Sequence, residues 1–144
     1  MRKLLVVLLL AGACRTHTVE VSPTSQEAGP RPALAAFLSS VRSQDLQAMS
    51  AVWGDKDGPV RDNTKMSRED MERRELILMC YFRHDSYRVL GDTPGTNGER
   101  ILQVELTKGT LKRTTNFYVV RGGDRWYVRS ADMEPVRDLC STKK

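Results

Sequence analysis

Apolar residues along this chain recur first with helical and then with strand spacing, and the change falls near His84. Leu34, Phe37, Leu38 and Val41 share one face at three- and four-residue intervals, which predicts a first helix over Ala33 to Arg42. Ser43-Gln44-Asp45 interrupts the pattern, and Asp45 is placed to cap a second helix carrying Leu46, Met49, Val52 and Trp53. Gly54 ends that helix, and Asp55 to Pro59 is turn chemistry. A third helix is predicted from Met66 to Phe82. Ser67 with Asp70 resembles a capping box, and Met66 and Met71 are spaced as a hydrophobic staple. Its first turns are charged and its last turns, Leu76 to Phe82, are apolar almost all round, so it is expected to start at the surface and finish buried. Beyond His84, strands are predicted over Ser86–Gly91, Arg100–Thr107, Lys112–Arg121 and Arg125–Ser130, with Asp92 to Gly98 as a loop. The connections are short, so the strands form an antiparallel meander whose apolar face the preceding helices must cover. The class is α+β, with one domain over residues 33–140 and a disordered tail over 141–144.

The opening residues have a different pattern. Arg2 and Lys3 precede the unbroken apolar run Leu4 to Leu10, followed by Ala11-Gly12-Ala13 and Cys14. Seven apolar residues are too few to cross a bilayer as a helix, which takes roughly 20, but they fit the core of a secretion signal over residues 1–13. Ala11-Gly12-Ala13 satisfies the small-residue rule of the ordinary signal peptidase. Leu10 to Cys14 also resembles the lipobox of bacterial lipoproteins, in which the Cys thiol receives diacylglycerol, although Ala11 stands where that family usually has Leu. The resemblance implies Cys14 as the lipidation site, a membrane partner through that lipid, and a periplasm-facing location in the cell envelope. Arg15 after the Cys points to the outer membrane by the same resemblance. The alternative is a soluble exported protein whose Cys14 is merely the first mature residue. Residues 15–32, rich in Thr, Ser, Pro and Glu, read as a flexible tether.

Composition alters this picture in two places. The pI of about 9.3 invites a nucleic-acid partner. Loss of Arg2 and Lys3 with the signal lowers the formal net charge from +5 to +3, and the remaining cations are interspersed with acids, so no nucleic-acid partner is expected. Three cysteines, Cys14, Cys80 and Cys140, leave one over in an oxidising compartment. With Cys14 lipidated, Cys80 and Cys140 are free to bridge, closing a loop worth roughly 4 kcal/mol in the chain-entropy model; the alternative is two independent buried thiols.

The ordered set of pieces resembles a known superfamily. The Ser43-Gln44-Asp45-Leu46 helix break, Val52-Trp53-Gly54, and the closing hairpin Gly122-Gly123-Asp124-Arg125-Trp126 are similar to the nuclear transport factor 2-like domains, most of all those of small bacterial lipoproteins. The resemblance covers about residues 33 to 131. It implies a cone-shaped fold whose mouth holds ligands in some members, and a scaffold shared by enzymes and inert domains alike.

Candidate chemistry is sparse. Trp53, Tyr81, Phe82, Phe117 and Trp126 are candidates to line a pocket, though aromatic residues of this kind are more often core. His84-Asp85 is the only His–Asp neighbour pair; adjacent strand residues point to opposite faces, which disfavours a dyad. Arg113, Arg121, Arg125 and Arg129 fall on the predicted sheet, as a basic stripe or as a solvated face. No phosphate-binding loop, dinucleotide fingerprint, nucleophile elbow or zinc-protease motif occurs. The expectation is a non-enzymatic domain binding a protein or a small apolar ligand, with no catalytic residue, metal or cofactor. The alternative is a small hydrolase or isomerase using the cavity of the same fold.

Overall fold

A computed structural model describes residues 29–63 and 65–141. The signal over residues 1–13, Cys14, most of the tether and residues 142–144 lie outside the described residues. Helices come first: α1 (Pro30–Ser43), α2 (Leu46–Val52) and α3 (Arg68–Tyr81). A short hairpin, β1 (Gly54–Asp55) with β2 (Gly58–Pro59), lies between α2 and α3. The strands β3 (Ser86–Pro94), β4 (Arg100–Lys108), β5 (Leu111–Gly122) and β6 (Arg125–Ala131) follow, and a last turn of helix, α4 (Arg137–Cys140), ends the described chain. The four long strands form an antiparallel meander in the order β3-β4-β5-β6.

The tether ends earlier than the pattern predicts. α1 begins at Pro30, with a proline in its first positions, where the missing N–H costs nothing and the fixed φ suits the helix. Its far end is the Ser43-Gln44-Asp45 break. Gln44 takes the left-handed conformation (φ 54°), and the Gln44 and Asp45 amides close back onto the Val41 and Ser40 carbonyls. The Asp45 side chain then accepts a hydrogen bond from the Ala48 amide at 2.9 Å and starts α2. α3 starts in the same way, with Ser67 accepting from the Asp70 amide at 3.1 Å.

The core sits between the helices and one face of the sheet. Leu102 pairs with Phe117 and Val104 with Thr115 across β4 and β5, and Val119 pairs with Val128 across β5 and β6. Against them lie Leu34, Phe37, Leu38 and Val41 of α1, with Met49 and Val52 of α2. Phe37, Phe82 and Phe117 meet at the centre with ring centroids 5.0–6.1 Å apart. Two bulges curve the sheet: Leu90 is the extra residue in β3 and Arg129 the extra residue in β6. Strand β3 also runs to Pro94, through the first part of the predicted loop, because Asp92 to Pro94 continue the ladder opposite Leu102 to Arg100.

α3 departs from expectation in its second half. Leu76 and Ile77 are 57% and 46% exposed, while Glu75 is fully buried. Only one stripe of a 3.6-residue helix can face the core, and here it is Met71, Glu75, Leu78 and Met79, continuing to Phe82; positions 76 and 77 fall outside it whatever their polarity.

The C-terminal segment is fastened to both layers. A disulfide joins Cys80 of α3 to Cys140 of α4, with Cα atoms 4.7 Å apart. Arg113 of β5 grips Asp138 from Nε at 2.9–3.0 Å, and the Lys108 ammonium donates to the Leu139 carbonyl at 2.6 Å. Val136 and Leu139 are fully buried beneath these ties.

Two stability effects are expected. Phe117→Ala should cost about 3–5 kcal/mol of unfolding free energy in urea titrations. Replacing both Cys80 and Cys140 by Ser should cost about 4 kcal/mol in the same titration, and thiol labelling of the denatured, unreduced chain should leave both positions unmodified.

Candidate surface site at the β1–β2 hairpin

The hairpin positions the candidate site. Trp53 closes α2, forms a parallel bridge with Val128 of β6, and accepts at its carbonyl from the Val60 amide at 2.8 Å. Gly122 permits the hairpin to dock: a Cβ there would lie 2.7 Å from the Asp55 carbonyl and 2.9 Å from the Tyr127 ring. Tyr127 is therefore buried, although it lies on the opposite sheet face from Val128.

Three adjoining crevices share Asn63. The smallest, about 130 Å³, is walled by Trp53, Val60, Met66 and Arg129. A second, of about 260 Å³, is rimmed by Asp55, Asp57, Asp62 and Lys65. A third, of about 280 Å³, runs between α2 and the start of α3 along Gln47, Ser50, Arg61 and Met71. Arg129 reaches the first crevice because the β6 bulge re-aims it. Its guanidinium donates to Glu99 Oε2 at 2.5 and 2.8 Å and stacks 5.8 Å from the Tyr118 ring centre. The Tyr118 hydroxyl meets both oxygens of Asp132 at 3.2 Å, and Asn116 donates to the same carboxylate at 3.1 Å. Burial, then the Asp132 carboxylate, holds the Tyr118 phenol above its ordinary range, so it stays a proton donor to that carboxylate. The arrangement presents an aromatic ring, a thioether and an ion-paired guanidinium around a slot the size of one side chain.

The residues singled out from sequence separate. Trp53 lines the smallest of the three crevices. Tyr81 and Trp126 are half-buried against the core. Phe117 and Phe82 have no exposed surface and belong to the central ring cluster. Cys80 and Cys140 form the tie to α4, away from the hairpin. The sheet arginines do not make one stripe. Arg113 is taken by Asp138 and Arg129 by Glu99, Arg121 donates to the Gly123 carbonyl, and Arg125 stacks on Tyr127. Among the described residues, no group of three His, Cys, Asp or Glu is placed to hold a metal, and no helix is long and apolar enough to cross a membrane.

His84 and Asp85 do not form a dyad. His84 Nδ1 donates to the Phe82 carbonyl at 2.8 Å, which leaves Nε2 as a buried lone pair without a partner among the described residues. Asp85 turns the other way and accepts from the Gly109 amide at 2.6 Å. Burial holds the imidazole below its usual range; the Phe82 carbonyl and Asp85 oppose this and Arg42 reinforces it. Glu75 is a buried carboxyl that sequence reading missed, because it ends a charged run. The signal was its spacing, one turn beyond Met71 and one turn before Met79, on the buried stripe. Neither Glu75 oxygen has a hydrogen-bond partner among the described residues, and burial, helped by the Glu72 carboxylate, pushes its carboxyl up to about 7.

No protein-family model, curated protein or solved structure matches the chain.

The two buried groups pull stability in opposite directions with pH. A raised Glu75 binds its proton more tightly in the folded chain, so its contribution is complete below about pH 4.5 and is lost as pH rises through about 7. A depressed His84 contributes above its ordinary value of 6.5, and that contribution is lost as pH falls below it. Glu75→Gln should remove the first slope and stabilise the domain at pH 8 by at most about 3 kcal/mol. Urea titrations from pH 4.5 to 8 check this, and the variant should retain only the decline on the acid side.

Proposed function

We propose that this chain is an exported, lipid-anchored envelope protein carrying a nuclear transport factor 2-like domain that binds a protein partner without catalysing a reaction. The opening signal and Cys14 support the address. Helices followed by a bulged antiparallel meander support the fold family.

The observation that carries the binding role is the filled interior. Phe37, Phe82 and Phe117 pack against one another between helices and sheet, which supports an interior occupied by side chains. Recognition then falls to the surface around Trp53. Ligand pockets usually enclose about 300–1,000 Å³. The three crevices at Asn63 measure about 130, 260 and 280 Å³ and open to solvent, so they fit side chains of a docked polypeptide better than an enclosed apolar molecule.

Mass spectrometry of the mature N-terminus from membrane fractions is expected to find diacylglyceryl on Cys14; an unmodified Cys14 following cleavage after Ala13 would overturn the anchoring. A photo-crosslinking residue at Met66 should capture a discrete partner in the envelope, and Trp53→Ala should abolish that capture. Equal capture from Lys112, on the sheet, would refute the hairpin site.

A further inference from the structure

The margin of the sheet opposite the hairpin carries a groove larger than any of the three crevices at Asn63. Strand β3 pairs only with β4, so its other side has no partner strand among the described residues. α1 runs beside this margin in the opposite direction. At its start, Arg31 pairs with Asp92 near the end of β3 at 3.5 Å. At its end, Arg42 and Ser43 share the groove with Tyr87 near the start of β3. The groove measures about 430 Å³, and Ala35 and Ser39 complete its lining.

The edge beside this groove has room for a strand. Ser86 to Val89 pairs in regular register with Thr107 to Val104, and the bulge comes only at Leu90. A bulge defends the strand where it falls and leaves the run before it open to pairing. Ala35 to Ser43 rises roughly 12 Å along α1, about the length of four strand residues. The helix wall is low there, since Ala35 and Ser39 are small. Tyr87 faces inward opposite the buried Leu106, yet it remains 38% exposed.

Charge selects what such a strand carries. Arg42 is exposed and forms no ion pair with an acid among the described residues. Asp45, just after α1, and Asp85, just before β3, are turned instead to the Ala48 and Gly109 amides. The groove lining therefore holds a cation and no carboxylate. We propose that the α1–β3 groove binds an extended segment of a partner protein, which adds to Ser86–Val89 as a fifth strand and sets an acidic side chain on Arg42. Main-chain hydrogen bonds to an open edge supply affinity, and alternate side chains meeting the groove supply selectivity. A guanidinium can hold a carboxylate through two parallel N–H bonds, so the acid fixes the register of the added strand.

This surface lies at the other side of the sheet from β6, the strand that Trp53 bridges. It requires neither the lipid anchor nor the hairpin crevices, so its test is independent of both.

The test uses the mature chain with Cys14→Ser, and its probe is a displayed library of random peptides of about ten residues. Recovered sequences are expected to share an Asp or Glu flanked by alternating apolar residues. Arg42→Glu should weaken the tightest of these peptides at least about tenfold, since attraction turns to repulsion. Arg42→Gln puts no negative charge at the helix end and should weaken it about threefold; it keeps the test readable if charge reversal impairs folding. Met66→Lys, in the hairpin crevices, should leave the affinity unchanged. Peptide binding should slow hydrogen exchange across Ser86 to Val89 at least about tenfold. Acid-free peptides, undiminished affinity in both Arg42 variants, protection confined to another strand, or loss of binding in Met66→Lys would each overturn the proposal. So would a selection that enriches nothing over the Arg42→Glu chain. Protection of Ser86 to Val89 that rises with protein concentration in the absence of peptide would overturn it too, because a second copy would then occupy the edge.

Discussion

The contact among Phe37, Phe82 and Phe117 is the point through which the rest of the domain is coupled. Each ring comes from a different element: the middle of α1, the cap that ends α3, and the centre of β5. Each is fully buried, and each touches the other two. Edge-on and tilted aromatic pairs add about 0.5–1.5 kcal/mol apiece beyond the area they bury. Removing any one would leave a cavity where α1, α3 and the sheet meet, within a core that Leu34, Leu38, Val41 and Met79 also hold to the strands. At the surface, the short hairpin after α2 and the β6 bulge that turns Arg129 toward it shape the crevices around Trp53.

Two buried polar side chains, Glu75 and His84, lack full hydrogen bonding among the described residues. Burying an unpaired carboxylate is costly, so Glu75 answers by keeping its proton. Burying an unpaired imidazole lone pair costs less, and His84 recovers part of that through the Phe82 carbonyl. Both sit close in sequence to Phe82, at the end of α3 and at the passage into β3. The tie between Cys80 and Cys140 falls in the same stretch, so the least comfortable part of the core is also the part held covalently.

Much of the fold was legible in the residues. The Ser43-Gln44-Asp45 break, the Ser67 cap and the Gly122-Gly123 turn each carry a local mechanism that tertiary packing did not override. The α+β class followed from the switch in apolar period near His84. Legibility failed where geometry depends on a neighbour far along the chain. Nothing local marks Leu90 or Arg129 as bulge residues, since a bulge is a mismatch between two strands. Leu76 and Ile77 read as buried because their polarity outweighed their angular position. Glu75 read as exposed for the converse reason, and a strict count of helix turns would have found it. The hairpin crevice was half visible: Trp53 stood out as a large aromatic, but Arg129 reaches it only through the register shift in β6. The segment 131–140 carried too short an apolar pattern to announce that it packs under the sheet.

The link from Cys80 to Cys140 encloses the whole meander in one covalent ring. Every turn between the long strands, including those at Gly109 and Gly123, lies inside it. A protease that cuts one of these turns therefore produces no separate fragment. The two pieces stay attached, the ladder on either side of the cut keeps its partners, and the C-terminal helix remains seated. Release of a fragment requires a second cut within the ring or reduction of the bond. In a compartment that is oxidising and rich in proteases, the domain would tolerate single nicks and lose its sheet only after two independent insults.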